Sequence, residues 1–570
     1  MVNEKLILKR NINNYSSSEE AINDIIKERF TMDEYLANMS TLKDPFLFKD
    51  MQIAVEKITA FIKDNKNICV YGDYDVDGTT SVYLTYNLLD KLVKILGSTS
   101  KIGYYIPHRE KEGYGVNNGA LDKIHNEAGF DLVITVDCGI SNYQQVEHAK
   151  SIGLDVVVTD HHEYPQHIPD CPIINPHDGH YPFTKLSGCG TVFKLMEALY
   201  IHNNLPRGIV FEYLDIAAIS TVADLMDLVG ENRIIVKYGL YLLQNYYAKK
   251  TRPWLNKLLD KAGFKGMIDS YTIGFTIGPR INSVGRLSHS METLKFMLST
   301  DEEVLEEYAT QIEEYNKERK KLQENIVKAG DEIIDENGVD NSINIVVDGR
   351  VGVVGLAASN LLEKHYRPTT VFSSSVNPDV YKASARSIEG FNYFEEVIEK
   401  NRDIIVGGGG HAAAAGLAVR KENIEEFNNR VNKAVEECLK ENPDLLVRKV
   451  HVDCELEPET IDMPLFHKVE QMAPFGMGNP TPIFFLRNMT VRRVKGFPEK
   501  DPKHLEVTLI RGKTVFKGLL FKRYDLLEAF QTIGVADVAF TLSLSTFGNK
   551  TELNLFITYF RPTIESELDS

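Results

Sequence analysis

The stretch Val70–Gly78 reads VYGDYDVDG, and the fold turns on it. The apolar run Ile68–Val70 enters three aspartates at alternate positions, Asp73, Asp75 and Asp77. Gly78 follows. Thr79, Thr80 and Ser81 then open a stretch with apolar residues at Val82, Leu84, Leu88 and Leu89. A buried strand, a tight turn and a helix N-terminus have this grammar. Carboxylates this close repel one another, so a cation lies among them or one of them holds a proton. A divalent cation is the simpler answer; the bland alternative is a solvated acidic turn at a helix start.

Working outward, strand patterns alternate with helical ones from Asn67 to about residue 240, which implies a parallel sheet covered on both faces. Strands are predicted at Ile68–Tyr71, Tyr104–Ile106, Leu132–Val136 and Val156–Thr159. Ligands in such sheets collect at the carboxyl ends of the strands. Those positions hold Asp75 and Asp77, then Asp137 in ITVD, then Asp160, His161 and His162 after VVVT. Asp224 follows another apolar run in ISTVADLMDL. Oxygen ligands with one imidazole suit manganese or magnesium rather than a thiolate metal. A carboxylate that bridges two such ions makes a two-metal site for attack on phosphorus.

The bulk numbers leave room for this. The chain has 570 residues, 43% hydrophobic and 25% charged, ordinary for a soluble globular protein. At ~150 residues per domain it should form three or four domains. The six cysteines (Cys69, Cys138, Cys171, Cys189, Cys438 and Cys454) contain no CxxC pair. We expect a reduced, cytoplasmic protein without a disulfide framework or structural zinc. MVNEKLILKR has no apolar signal region, and no stretch is apolar enough to span a bilayer. A net charge of −17 argues against a nonspecific nucleic-acid coat. It leaves a nuclease open, because a basic track can be local.

The motifs DYDVDG, VDCGIS, DHH and TVAD, in this order, resemble motifs I to IV of the DHH phosphoesterase superfamily. Later segments narrow the resemblance to its RecJ family of single-strand-specific 5′→3′ DNA exonucleases. The resemblance implies two divalent cations, Mn2+ or Mg2+, held by Asp75, Asp77, Asp137, His161 and Asp224. Asp137 would bridge, and His162 would orient a ligand or touch the scissile phosphate. Many superfamily members carry His four residues before the first motif-I aspartate; here Cys69 stands there. A thiol in an apolar strand is a poor partner for a hard cation. Asp73 is therefore an additional candidate ligand.

The rest of the chain supplies candidate substrate contacts. IPHREKEGYGVN (Ile106–Asn117) offers Arg109 as a phosphate fork and Tyr114 as a flat surface for a base. LSGCGTVFKL (Leu186–Leu195) reads as a tight loop and helix start packed under the site. In FTIGPRINSVGRL (Phe275–Leu287), Arg280 and Asn282 alternate, so an extended backbone would aim both the same way. The resemblance makes Arg280 a phosphate clamp. Residues 300–335 read as one long helix, capped by Thr300 with Glu303, that joins two lobes as a strut.

From residue 341 to about 445 the chain resembles a DHHA1 domain. Gly407–Gly410 before His411 would open a helix whose N–H groups cradle an anion. The resemblance makes this a pocket for a terminal 5′-phosphate, with Gly409 and His411 beside Ser384 and Arg386. Five short strand-like runs over residues 446–562 resemble an OB-fold barrel that binds single strands, its basic residues interleaved with Phe497 and Phe516. The tail 563–570 is acidic and should fray.

The architecture expected is therefore α/β: a helical segment at 1–65, a parallel-sheet DHH domain at 66–295, a connecting helix at 296–340, a DHHA1 domain at 341–445 and the barrel. The function implied is a monomeric, membrane-free exonuclease of DNA repair and recombination. It would release 5′-mononucleotides from single-stranded DNA with a 5′ end, fed by a helicase and a single-strand-binding protein. One rival is a phosphodiesterase for short oligonucleotides or cyclic dinucleotides; another is a non-catalytic single-strand-binding scaffold.

Overall fold

Ile68–Gly72 (β1) is buried at every position, as a central parallel strand covered on both faces must be. The computed structural model describes residues 4–15, 17–109, 111–374, 378–547 and 550–563. The acidic tail lies outside them. Two units are present: Ala37–Leu446 with Gly476–Gly478, and Met1–Leu36 with Val447–Phe475 and Asn479–Ser570.

In the first unit β1 pairs in parallel with Ile102–Tyr105 (β2) on one side and Leu132–Val136 (β3) on the other. Asp155–Thr159 (β4) and Ile173–Ile174 (β5) extend the sheet beyond β3. The order β2-β1-β3-β4-β5 reverses at β1, which opens a crevice at the carboxyl ends of β1 and β3. Val76–Ile95 (α1) starts directly after β1. Gly188–His202 (α2) and Leu214–Ala223 (α3) pack against α1. β2 starts two residues and ends one residue earlier than the sequence pattern placed it.

Gly278–Leu287 (α4) is a helix with Pro279 in its first turn, where the missing N–H costs nothing. The extended backbone expected here is not formed. On a helix, positions two apart face nearly opposite ways, so Arg280 and Asn282 diverge.

Glu302–Asn337 (α5) runs 36 residues. Its N-cap is Asp301, whose carboxylate accepts from the N–H groups of Glu303 and Val304; the expected Thr300 cap is displaced by the better acceptor. Leu305, Ala309 and Ile312 enter the core of the first lobe, and Ile326 and Ile334 enter that of the second. The helix thus belongs to both cores, which makes it a stiff connection.

The second lobe holds Ile343–Val347 (β6), Val351–His365 (α6), Thr369–Ser373 (β7), Val380–Arg386 (β8), Ile405–Gly410 (β9), Ala414–Arg420 (β10) and Ile424–Glu441 (α7). The sheet order is β9-β10-β8-β7-β6. The glycine run is therefore an edge strand, not a helix start. It forms a hairpin with β10 that closes through the His411 N–H donating to the Ala414 carbonyl at 2.8 Å.

The other unit is a barrel of Phe484–Phe497 (β11), His504–Arg511 (β12), Thr514–Leu520 (β13), Val535–Phe547 (β14) and Lys550–Pro562 (β15). The order β11-β12-β13-β15-β14 closes by β14 pairing with β11. Phe516 is buried in its core with Val507, Leu509 and Phe540. The first residues are not wholly helical: Glu4–Leu8 is a strand that pairs in parallel with Arg448–Val452, and Ala21, Ile22 and Ile25 join the barrel core.

Candidate metal centre

Each acid reaches the crevice through a local device. Asp75 is the N-cap of α1, its carboxylate accepting from the Gly78 N–H at 3.0 Å. Gly78 must be glycine, because a Cβ there would lie 2.4 Å from the Asp73 carbonyl oxygen. Asp137 ends β3 with φ of 60°, a left-handed backbone rare outside glycine and frequent at functional sites. His161 and His162 follow β4. Asp224 sits at the C-terminus of helix α3 rather than at a strand end. The site is therefore built from three strand ends and one helix end.

Asp77 is held from below. It accepts from the N–H groups of Gly188 at 2.7 Å and Cys189 at 2.8 Å, and from the Ser220 hydroxyl at 2.6 Å. The start of α2 thus packs under the site, where the LSGCG reading put it, and the positive end of the helix faces a buried carboxylate. A Cβ on Gly188 would lie 2.5 Å from Asp137 Oδ1.

His161 joins the set. Its Nε2 lies 3.2 Å from Asp137 Oδ1, 3.7 Å from Asp77 Oδ2 and 3.7 Å from Asp224 Oδ2. Three groups of potential ligands form: Asp77 with His161 and Asp224; Asp73 with Asp75 and Asp137; and Asp137 with His161 and His162. Within each, the ligating atoms lie within 4.8 Å of one another. Asp137 and His161 each belong to two groups, which is what a bridging position requires.

The electrostatics call for cations. Burial, then the charge of Asp75, pushes Asp73 up to about 8. Burial, then Asp77 and Asp75, pushes Asp224 up to about 9. Asp75 and Asp137 rise through burial and the neighbouring carboxylates. Burial holds the His161 imidazole below its ordinary value despite the pull of Asp77, so it is neutral and able to ligate. Asp73 Oδ1 and Asp137 Oδ1 are buried and accept no hydrogen bond. Several carboxylates, one neutral imidazole and unsatisfied oxygens fit manganese or magnesium. Cys69 takes no part; it is buried inside β1, where its thiol is pushed up by burial.

Asp160, which sequence reasoning passed over as a ligand, is the brace of the next layer. Its buried carboxylate accepts from the N–H groups of Ile140 at 2.9 Å, His161 at 2.8 Å and His162 at 3.2 Å. His162 Nδ1 lies 2.7 Å from it. Burial opposes a charge on His162, but the Asp160 hydrogen bond and charge lift it to about 9. Tyr114 is 53% exposed, and its hydroxyl stands 3.3 Å from His162 Nδ1.

A cavity of about 360 Å³ opens over the acids, lined by Asp73, Asp75, Arg109, Asp224, Asn282 and Arg286 among others. The Arg109 guanidinium lies over the Tyr74 ring at 4.9 Å. Asn282 faces the site, accepting from the Val76 N–H at 3.1 Å. Arg280 does not face it; its Nε donates to Glu313 on α5 at 2.8 Å and its Nη1 to the Thr276 carbonyl. The guanidinium on this helix that lines the cavity is Arg286, four residues from Asn282 and on the same face.

Sequence reasoning missed Arg286, and Arg319 of α5 beside it. Burial and the charges of Arg109, Arg319 and Arg386 lower Arg286 to about 10, against the pull of Asp75. Arg319 is buried, bonded to Gln323 and Asn316 amides, with Nε unsatisfied. Among the described residues, Arg109, Arg286, Arg319 and Arg386 form no ion pair with a carboxylate. Helical spacing from Asn282 was the available signal for Arg286; nothing local marked Arg319.

Ser384 and Arg386 lie on β8. Ser384 Oγ and Arg386 Nη2 each stand 3.2 Å from the Cβ position of Gly355 in α6. Gly409, Gly416 and Ser384 form one row across β9, β10 and β8. Cβ positions at Gly409 and Gly416 meet open space. The glycines thus clear bare backbone beside Ser384 instead of presenting a helix N-terminus.

Comparisons with known proteins agree with this construction. Residues 67–221 match the DHH family, N-terminal domain; residues 343–437 match the DHHA1 domain; residues 452–559 match the RecJ OB domain. The single-stranded-DNA-specific exonuclease RecJ of Bacillus subtilis is 34% identical over 520 residues, covering 90% of this chain and 64% of that protein. The Escherichia coli protein of the same name is 29% identical over 533 residues, covering 88% of this chain and 89% of its own length. A crystal structure of RecJ from Thermus thermophilus in complex with Mn2+ superposes with a TM-score of 0.79 at 25% identity, covering 98% of this chain and 79% of the other. With all three domain types in the same order and the acids gathered as described, the chain belongs to the RecJ family of DHH-domain proteins.

Proposed function

We propose that this chain is a metal-dependent exonuclease that shortens single-stranded DNA from its 5′ end and releases 5′-mononucleotides. The observation that carries the reading is a cluster of buried, mutually repelling carboxylates lining one cavity with Arg109 and Arg286, two arginines that form no ion pair among the described residues. Anions and cations are both called for within one cavity, and a phosphodiester with divalent ions answers both. The names of the relatives and the Mn2+ bound to the Thermus protein support it.

Asp77, His161 and Asp224 would hold one ion and Asp73 and Asp75 the other, with Asp137 between them. When bound, the two ions acidify a water molecule and neutralise charge that develops on phosphorus. The chain's own groups do the rest. Arg109 and Arg286 grip phosphate oxygens of the strand. His162, cationic at neutral pH and turned by Asp160, presents its Nε2 proton to the scissile phosphate. Ser384, Arg386 and the N-terminus of α6 hold a terminal 5′-phosphate, and that fixed stop sets the polarity of cutting. Arg280 has a lesser part than the motif suggested: it braces α4 on α5.

No helix among the described residues is long and apolar enough to cross a membrane. We place the protein in the cytoplasm, acting as a monomer on strands exposed by a helicase or handed over by a single-strand-binding protein. The test is direct: incubate 5′-phosphorylated single strand with the protein and manganese, with and without chelator. Mononucleotide released only without chelator is expected. No release in either case would overturn the reading.

A further inference from the structure

A second cavity lies in the first unit, away from the metal centre. It measures about 530 Å³, the size of a small-ligand pocket. Asp75 caps α1 at its start, whereas Lys91, at the edge of this cavity, stands about 24 Å further along the same helix. Helix α3 spans the same gap: its N-cap Tyr213 lines the cavity, and its C-cap is Asp224. Nothing in the proposed reaction uses this end of the two helices.

The cavity is built around Arg252. Its Nε and Nη2 donate to the buried Asp215 carboxylate at 2.9 and 2.8 Å. Its guanidinium lies over the Tyr213 ring at 5.2 Å and the Tyr246 ring at 4.8 Å, which holds both rings in place. The Tyr246 hydroxyl donates to the Glu212 carbonyl at 3.0 Å. A lining fixed in this way loses little freedom when a ligand arrives. Tyr241, by contrast, is 67% exposed and offers an open ring. The Asn245 amide nitrogen donates to the Tyr241 carbonyl at 2.8 Å, which leaves the Asn245 side-chain oxygen as an acceptor.

The charge here is opposite to that of the molecule. Residues 237–265 carry seven Lys and Arg against one Asp, whereas the chain as a whole is at −17. Asp215 answers Arg252, and Glu212 lies 3.8 Å from Lys91. Lys249, which also lines the cavity, forms no ion pair among the described residues. An aliphatic acid or a bare phosphate would meet the lysines but leave the Tyr241 ring without a flat partner. A nucleoside phosphate answers every group: a base has a π-face for Tyr241 and an amino or imino hydrogen for Asn245, and its phosphate suits Lys91 and Lys249.

We infer that this cavity is a second nucleotide site, separate from the metal centre, which takes a nucleoside 5′-monophosphate with its base on Tyr241 and its phosphate between Lys91 and Lys249. The proposed nuclease reading makes such molecules as products, and the inference goes beyond that reading by giving them a place away from the metals.

The experiment uses the full chain carrying Arg386→Ala, which disables the proposed 5′-phosphate pocket, and is run in chelator. Labelled dAMP is measured by equilibrium dialysis, and the emission of Trp254 is followed alongside. Trp254 is the chain's single tryptophan; its ring meets that of Tyr83 at 6.2 Å, and the Tyr83 hydroxyl accepts from Arg252 Nη1 at 3.3 Å. Saturable binding with a change in Trp254 emission is expected. Tyr241→Ala and Lys249→Glu should each weaken it about tenfold, the loss of one base–ring stack or one charged hydrogen bond, at unchanged thermal midpoints. Inorganic phosphate and deoxyadenosine should each compete about tenfold less well than unlabelled dAMP. No saturable binding, binding indifferent to both substitutions, or equal competition by phosphate alone would overturn the site. Mononucleotide release from 5′-phosphorylated single strand in manganese, with Tyr241→Ala or Lys249→Glu in the otherwise native chain, should match the parent; its loss would make the cavity part of the cutting machinery and overturn a separate site. If the parent releases none, it is the nuclease reading that fails, and the dAMP result decides the site by itself.

Discussion

Replacing Gly188 by alanine tests how the metal centre is held together. An ideal Cβ at this position lies 2.5 Å from Asp137 Oδ1, 2.6 Å from its Cβ and 2.7 Å from its Cγ. Ordinary contact begins at 3.4 Å, so something must retreat by about 0.9 Å. Neither retreat is harmless. If Asp137 moves, the carboxylate shared by two ligand groups leaves its place. If the start of α2 moves, it takes with it the N–H groups of Gly188 and Cys189 that hold Asp77. Overpacking of this kind costs ~1–3 kcal/mol, which a unit of this size survives. A misplacement of ~1 Å in a reacting constellation costs ~10²-fold in rate. We therefore expect Gly188→Ala to fold, to need more manganese for half-maximal activity, and to turn over about a hundredfold more slowly. Gly190→Ala is the control: its Cβ would meet Ser187 Oγ at 3.3 Å and nothing of the metal site. The assay is mononucleotide release across a manganese titration, with thermal melts alongside. Turnover of Gly188→Ala within about threefold of the parent, at unchanged manganese dependence, would refute the claim that α2 positions the ligands.

Other outcomes follow from the same geometry. Asp137→Ala should abolish cleavage and leave the metal-free protein at least as stable, since one buried repelling charge is gone; near-normal turnover would remove it from the bridging role. Arg386→Ala should erode the preference for phosphorylated over hydroxyl 5′ ends, whereas Arg286→Gln should slow cleavage of both alike; a reversed pattern would exchange their assignments. The pH dependence has a definite sign. Asp73, Asp75, Asp137 and Asp224 hold their protons more tightly folded than unfolded, and His162 does likewise at about 9. The unfolded chain therefore releases protons first, and metal-free stability falls as pH rises from about 4 toward about 9. Cations remove that penalty, so the manganese-induced rise in Tm should be larger at about pH 8.5 than at about pH 6. An increment that is flat or shrinks with pH would contradict the carboxylate shifts.

The sequence by itself determined which acids and imidazole follow the strands and most of the strand scaffold. An apolar run followed at once by a polar residue is a local pattern, and backbone sterics make its outcome local too. Asp75, Asp77, Asp137 and His161 were therefore legible at their strand ends, and so was the helix start at Leu186–Leu195. The five barrel strands were legible for the same reason, through alternation. Where a segment's conformation depends on what packs against it, the pattern misled. Gly278-Pro279 reads as a turn, yet Pro279 suits a first helical turn, and the helix that follows turns Arg280 away from the cavity and Arg286 toward it. The glycine run reads as a helix start, yet pairing with Ala414–Arg420 makes it an edge strand. Only the tertiary structure decided that Arg319, 33 residues beyond Arg286, stands beside it, neither forming an ion pair among the described residues. Such unpaired charges are made by distant elements meeting, and no window along the chain contains them.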